Sequence, residues 1–434
     1  MADVIVRRTK RLSGEVCAPP SKSYTQRMLI AASLSQGTSR ISGPLVSDDT
    51  EATLRAVKAF GAKAKVAEGC LTVEGASPLK GAKKPIDCGE SGATLRFMIP
   101  VAALAAEPSV FCLGKSLEQR PVEPLLESLK QLGVETSVEK VCGKSFIKVQ
   151  GGGIAGGKTS IRGDVSSQFI SGLLFACPLA RKDTELTLTT PLESKGYVQM
   201  TSEVLAKHGI EVIASADYSQ VRIPSRQTYK PCDDRVPGDF SSAAFLLAAA
   251  AITQSDVTVV NLDYSLMQGD KAIVSILKQM GVQGKVCSNQ IEINGTGDLL
   301  EAVHVNAKDT PDLVPVCAAL ACYAKGTSRI HDAKRLKLKE SDRLSSLYLE
   351  LRKMGADIAV DEDSLTVKGP CKLHGADIDS HNDHRVAMAC VVAALGAEGE
   401  TRIHDAECVK KSYPRVFNDL RSLGANIVGG KFDR

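Results

Sequence analysis

The sequence predicts an α/β (α+β) chain of two domains, each holding three copies of one structural unit, and three observations carry that reading. First, a phrase recurs six times: an aliphatic residue, three further positions, then a glycine, at Gly61, Gly133, Gly209, Gly281, Gly355 and Gly424. The intervals are 72, 76, 72, 74 and 69 residues, and repetition at so regular a period fixes architecture before local propensity does. Second, 434 residues exceed one ordinary core, so the six units divide into two sets of three. Third, a hydrophobic fraction of 43% against 24% charged residues belongs to a soluble globular chain with ample core.

Each element of the unit has its own signal. The residue four before each glycine is Val57, Leu129, Leu205, Leu277, Leu351 or Leu420, and the residue seven before is apolar in every copy except at Ser202. This is the stripe of an amphipathic helix, and glycine ends it because only glycine enters the left-handed conformation without a steric penalty. Alternating segments follow at Leu71–Gly75, Ile147–Gly151, Val221–Ser225, Ile291–Gly295 and Leu365–Gly369. They predict a strand that closes a hairpin. The sixth copy is cut short at Gly429-Gly430.

A second helix per unit is far more apolar and begins near Ser21, Ser91, Ser166, Ser241, Asp312 and Asn382. A helix apolar nearly all round belongs in a core, yet its first turn is polar every time. Equivalent helices point their N-termini the same way, and each offers unpaired N–H groups and about half a positive charge. Two such domains facing one another aim six buried helices' N-termini at an interdomain cleft, and the expected ligand is anionic. Ser, Asp and Asn at these starts are ordinary N-caps. Lys22, Arg96 and Arg385 are not, because a cation there opposes the dipole by ~0.3–1 kcal/mol; they are read as awaiting an anion.

A net charge of +4 is too mild to imply nucleic acid or membrane as partner, and the basic run Arg7, Arg8, Lys10, Arg11 reads as a solvated first strand. Thirteen scattered cysteines without a Cys-x-x-Cys pair suggest reduced thiols and a cytoplasmic protein. No signal core or membrane-length apolar stretch is present.

Four constellations carry chemistry. Lys22-Ser23-x-x-x-Arg27 sets Ser23 and Arg27 four apart on one helix face, where a phosphate or carboxylate fits. Lys337 to Leu344 reads as the start of the amphipathic helix ending at Gly355, with Lys339 and Arg343 on one face beside Glu340 and Asp342. Such a set addresses an anion while a carboxylate exchanges a proton. Asn382-Asp383-His384-Arg385 offers Arg385 as an anion clamp; His381 and His384, three apart with no third ligand, make a poor metal site. Asp312 follows Pro311 at a helix start, as an N-cap or as a base held ionised near the dipole. Arg96, Arg120 and Lys411 add fixed positive charge.

Together these motifs resemble the 5-enolpyruvylshikimate-3-phosphate synthases. The resemblance runs through Pro20-Ser-Lys-Ser with Arg27, Ser47-Asp-Asp49, Glu90-Ser-Gly with Arg96, Gln119-Arg-Pro121, Val165-Ser-Ser-Gln-Phe169, Ser194-Lys195 with Tyr197, Gly238-Asp with Ser241-Ser242, Pro311-Asp312, Lys339-Glu-Ser-Asp-Arg-Leu344, Asn382-Asp-His-Arg385 and Lys411-Ser-Tyr-Pro414. It implies metal-independent transfer, without a cofactor, of the carboxyvinyl group of phosphoenolpyruvate to the 5-hydroxyl of shikimate 3-phosphate. It also implies a monomer whose two domains, each of three βαβαββ-like repeats with pseudo-threefold symmetry, close on substrate. Their bounds are then 21–236, on the shikimate 3-phosphate side, and 1–20 plus 237–434, on the phosphoenolpyruvate side, with hinge crossings near 20 and 236. Lys22, Ser23, Arg27, Ser166, Ser167, Gln168, Ser194, Tyr197, Asp312 and Lys339 would hold shikimate 3-phosphate. Lys22, Gly92, Arg120, Gln168, Arg343, Arg385 and Lys411 would hold phosphoenolpyruvate, and Asp312, Glu340 and Lys22 would move protons.

Departures from the commonest family pattern fall at Glu90, Ala93, Phe97, Gly196 and Arg335; Ala93 and Phe97 leave sensitivity to glyphosate open. The sister enolpyruvyl transferase acting on UDP-N-acetylglucosamine uses a loop cysteine five residues before its Arg-Pro pair. Here that position is Lys115, and Cys112 lies eight before Arg120. A non-catalytic anion- or RNA-binding protein would not need Asp312 and Glu340 among its cations.

Overall fold

Every glycine of the sixfold phrase has φ between 75° and 101°, in the computed structural model, which describes residues 3–432. Another residue at such φ costs on the order of 1–3 kcal/mol. Each glycine follows one of the even-numbered helices in the series α1 (Lys22–Ser33), α2 (Asp48–Ala59), α3 (Gly92–Ala102), α4 (Glu123–Gln131), α5 (Ser167–Ala176), α6 (Lys195–Lys207), α7 (Phe240–Ile252), α8 (Ile273–Gln279), α9 (Val314–Ala321), α10 (Arg343–Lys353), α11 (His384–Gly396) and α12 (Val416–Ser422). The N–H after each glycine bonds back to the carbonyl of the aliphatic residue four before it. Ala62 reaches Val57, Val134 reaches Leu129, Ile210 reaches Leu205, Val282 reaches Leu277, Ala356 reaches Leu351 and Ala425 reaches Leu420. The repeated phrase is thus one helix-ending device, which satisfies carbonyls that the helix leaves orphaned. The odd-numbered helices are almost wholly buried, as their composition requires.

The strands of the described residues form six sheets, each a parallel pair extended by two antiparallel pairings, with His304–Asn306 adding a second parallel partner to Ala324–His331 in one of them. In the first, Thr38–Ser42 runs parallel to Asp234–Arg235 and antiparallel to Cys70–Glu74, which forms a hairpin with Lys63–Ala67. Thr136–Val141 with Lys144–Val149, Ile213–Ala214 with Gln220–Ile223, Gln283–Val286 with Gln290–Asn294 and Ile358–Val360 with Leu365–Gly369 repeat the hairpin. The sixth unit is not short after all. Ile427–Gly429 is its first hairpin strand, and the return strand is Val4–Arg7 from the other end of the chain, paired with both Ile427–Gly429 and Glu400–His404. Val4 and Val6 point into the core while Ile5 and Arg7 lie on the outer side, so the register is fixed by the side-chain period of two. Ser13–Cys17 similarly completes the fourth sheet, parallel to Asp256–Val260.

The chain forms two compact units. One runs from Pro20 to Val236 and holds α1 to α6; the other joins the residues up to Pro19 with those from Pro237 and holds α7 to α12. Each has its own continuous hydrophobic core around its three buried helices.

The buried helix expected near Ser241 begins at Phe240, capped by Asp239, whose carboxylate accepts the Ser242 N–H at 3.0 Å. Two local expectations are corrected. Asp312 is not the N-cap of an α-helix: it lies in a 3-10 turn, Pro311–Leu313, and α9 begins at Val314. Lys339 and Glu340 do not lie on the helix ending at Gly355. The chain makes a 3-10 turn over Lys334–Leu338, Lys339 is extended, and α10 starts only after Asp342, whose side chain accepts the Ser345 N–H.

Candidate active site

In the unit from Pro20 to Val236, three buried helices start with a serine whose hydroxyl accepts a backbone N–H: Ser21 from Tyr24, Ser91 from Thr94, and Ser166 from Gln168. Lys22, in the first turn of α1, is bonded to Asp49 on α2 at 3.0 Å. Gln26 donates to the Asp49 carbonyl and to Thr53 and lies within 3.4 Å of Ser91 and Thr94. The starts of α1, α2 and α3 are therefore tied together.

Arg27 is 2% exposed. It donates to Thr201 Oγ1 at 2.8 Å, to the Ser23 carbonyl at 3.0 Å and to the Tyr197 carbonyl at 3.1 Å, and it stacks 5.0 Å over Phe97. Burial draws its pKa down to about 10, which leaves it protonated at neutral pH. The backbone bond from Tyr197 N–H to the Ser194 carbonyl places Ser194, left-handed at φ 56°, at the start of the same α6 turn.

A second cluster gathers Gly92, Arg96, Arg120 and Gln168. Arg96 donates to Gln168 Oε1 at 2.9 Å and to the Pro121 carbonyl at 3.1 Å. A Cβ placed on Gly92 would stand 2.9 Å from Arg120 Nη1, 3.5 Å from Arg96 Nη1 and 3.7 Å from Gln168 Oε1. Two guanidiniums and an amide thus converge on a helix start that has no side chain to block them, an arrangement suited to a carboxylate or phosphate. Ser167 follows Ser166 at this end of α5, adding to the polar turn. Glu90 accepts the N–H groups of Ser116 and Leu117, anchoring the turn that leads to Arg120.

In the other unit, Asp312, Lys339, Glu340, Arg343, Arg385 and Lys411 form one network. Arg343, with its side chain 1% exposed, is the hub: it reaches Asp312 Oδ1 at 2.8 Å, Glu340 Oε2 at 2.7 Å and Asp383 Oδ2 at 2.8 Å. Arg385 Nη2 lies 3.3 Å and Lys339 Nζ 3.5 Å from Asp312, while Lys411 Nζ lies 3.2 Å from Glu340. Burial alone would raise the Asp312 pKa, but Arg385, Lys339 and Arg343 overcome it and hold the carboxyl well below its usual range. Burial draws Lys339 down to about 8, with Arg343 adding to the effect against the pull of Asp312.

The cations at helix starts are thus balanced from within the protein, Lys22 by Asp49 and Arg385 by Asp312, while Arg96 bonds an amide and a carbonyl. The reading of these residues as waiting for an external anion is corrected to that extent: internal groups hold them, and a ligand must compete. Arg335 donates to the Lys308 carbonyl at 2.6 Å. The sequence reading assigned no role to Asp383, Thr201 or Asp270. Asp383 sat in a quoted motif, whereas Asp270 lies in a short turn that nothing in the sequence distinguishes from a solvated one.

The family model described as EPSP synthase (3-phosphoshikimate 1-carboxyvinyltransferase) matches residues 6–420. A 3-phosphoshikimate 1-carboxyvinyltransferase of Methanocaldococcus jannaschii is 42% identical over 98% of this chain and 99% of the relative. One from Methanocorpusculum labreanum is 43% identical with the same coverage, and one from Clostridium perfringens is 39% identical over 99% of this chain and 100% of its own. Among solved structures, EPSP synthase from Acinetobacter baumannii superimposes with a TM-score of 0.83 at 26% identity, covering 99% of this chain and 100% of that one.

Proposed function

The chain belongs to the EPSP synthase (3-phosphoshikimate 1-carboxyvinyltransferase) family, and from that premise we propose how its own residues divide the reaction. The activity is transfer of the enolpyruvyl group of phosphoenolpyruvate to the 5-hydroxyl of shikimate 3-phosphate, with release of phosphate. In our reading, domain 21–236 supplies Lys22, Ser23, Arg27, Ser166, Ser167, Gln168, Ser194 and Tyr197 to shikimate 3-phosphate, together with Asp312 and Lys339. Phosphoenolpyruvate is held by Gly92, Arg120, Gln168 and Lys22 and by Arg343, Arg385 and Lys411.

The observation that carries this reading is the network around Arg343, in which every cation proposed for phosphoenolpyruvate in that unit is bonded to a carboxylate proposed for proton transfer. Substrate anions compete for Arg343, Arg385 and Lys411. As they take these cations, Asp312 and Glu340 lose the charges that hold them ionised, and their proton affinity rises. Asp312 then becomes basic enough to take the 5-hydroxyl proton, while Glu340, assisted by Lys22, delivers a proton to the vinyl CH2. The hydroxyl oxygen bonds to the adjacent carbon, giving a tetrahedral intermediate. Glu340 takes a methyl proton back as the C–O bond to phosphate breaks, and Asp312 returns its proton to the departing phosphate. The clustered cations stabilise the charge that moves onto phosphate.

A coupled assay of phosphate release with both substrates tests the proposal. Release must require both, and a chain that releases none from the pair would overturn it. The proposed reaction uses no metal, so activity survives chelation by EDTA. The same reading has the enzyme working as a cytoplasmic monomer, which light scattering and cell fractionation check. No helix of the described residues is long and apolar enough to cross a membrane.

A further inference from the structure

One buried carboxylate in the unit of Asp312 has no part in the transfer as written. Asp270 lies in the 3-10 turn Gly269–Ala272 and is 2% exposed. Two residues before it, Gln268 clamps the start of α7: its amide donates to the Gly238 carbonyl at 2.7 Å and its oxygen accepts the Phe240 N–H at 3.1 Å. Asp270 itself accepts a hydrogen bond from the Ser241 hydroxyl. The carbonyl of the same serine accepts from Arg385 Nη1 at 3.3 Å, and Arg385 Nη2 lies 3.3 Å from Asp312 Oδ2. Asp270, Ser241, Arg385 and Asp312 therefore form one continuous path.

We propose that Asp270 is a positioning residue for the enolpyruvyl transfer: it holds the Ser241 turn on which Arg385 rests, and its charge offsets that guanidinium so that Asp312 retains basicity. The inference rests on the roles proposed above for Asp312 and Arg385. The titratable and charged groups that face Asp270 are Asp312 from the turn before α9, Arg385 from α11, Asp239 at the cap of α7 and Cys317 on α9. Burial, then the charge of Asp312, push the Asp270 carboxyl up to about 7 against the pull of Arg385 and the Ser241 hydroxyl. The sign of the coupling follows. An ionised Asp270 raises the proton affinity of Asp312, as like charges do, and above its own pKa it makes Asp312 the stronger base.

The test is the pH profile of kcat/KM, which reports groups of the free enzyme, for the full chain and two variants. Asp270→Asn is isosteric and uncharged. It is expected to lower kcat/KM about tenfold near pH ~8, to erase an inflection near pH 7 and to converge with the wild type below about pH 6, where Asp270 is already protonated. Ser241→Ala keeps the charge but loses a bond that favours the ionised carboxyl, so the inflection moves to higher pH. A merely structural Asp270 would scale the whole profile without changing its shape. An Asp270→Asn profile within twofold of the wild type, or one that keeps the inflection, overturns the proposal. If that variant does not fold by circular dichroism, an unmoved inflection in Ser241→Ala overturns it instead. Undiminished turnover in Asp312→Ala would overturn the underlying site reading rather than this step alone.

Discussion

Replacing Arg343 with methionine keeps an unbranched apolar stem and removes the charge that binds Asp312, Glu340 and Asp383. The side chains of these carboxylates are 18%, 10% and 0% exposed, so solvent does little to replace the lost partner. Removing one member of a buried ion pair costs about 3–5 kcal/mol, because the remaining charge is stranded. Arg385, Lys339 and Lys411 remain and keep the expectation at the lower end. For a unit of this size each kcal/mol moves Tm by roughly 2–4 °C, so Tm at neutral pH should fall by about 6–12 °C. The pH dependence supplies the sharper check. In the wild type the depressed Asp312 carboxyl contributes stability that is fully present above the unfolded carboxylate pKa and is lost as pH falls through the folded value, well below that of a free aspartate. In the variant Asp312 keeps Arg385 and Lys339 but loses Arg343, so its carboxyl is held down less; the penalty is largest at neutral pH and shrinks as acid protonates Asp312. Thermal unfolding followed by circular dichroism across this range measures both. A Tm at neutral pH within about 2 °C of the wild type, or a gap that widens with acid, would refute the hub assignment.

Other outcomes follow from the site. Asp312→Ala should lower kcat by about 10²–10⁴ while both Michaelis constants change far less; steady-state kinetics showing unchanged kcat removes Asp312 from the base role. Gly92→Ala places a methyl 2.9 Å from Arg120 Nη1 and should raise KM for phosphoenolpyruvate on the order of tenfold, at the cost of ~1.5–3 kcal/mol for a hydrogen bond to a charged group. An unchanged KM would show that residue 92 does not face that substrate. Lys339, drawn down to about 8, loses its charge as pH rises through that value, so KM for shikimate 3-phosphate should climb above it. A KM flat across that range would count against Lys339 as a ligand of shikimate 3-phosphate.

The architecture was legible in the sequence to the extent that its signals were local. The six glycines were readable because the left-handed helix ending is built from residues within five positions of each other, and Leu351 with Gly355 shows the whole device. The return strand of the sixth unit was not, because its partner lies more than 400 residues away in sequence: Val4 pairs with Gly429. Lys339 and Glu340 were placed on a helix because their spacing from Arg343 suits one. Asp342 is the better N-cap, and its bond to Ser345 N–H starts the helix three residues later. The same charged residues meet regardless, through the loop. Asp270 carried no signal because its meaning comes only from burial against Ser241 and Arg385, which no short-range pattern encodes.

The pairing of Val4–Arg7 with Glu400–His404 and Ile427–Gly429 has a consequence for biosynthesis. Val4–Arg7 is synthesised long before Glu400–His404 and Ile427–Gly429 and must wait for both before their sheet can close. Residues 20–236 complete all their sheets within one continuous stretch and are free to finish folding early. Translation of the roughly 390 residues between Arg7 and Glu400 at ~5–20 per second leaves an orphaned strand for on the order of 20–80 s. Arg7, Arg8, Lys10 and Arg11 gather at the end of that strand, and charge of one sign on an unpaired strand disfavours its pairing with another copy.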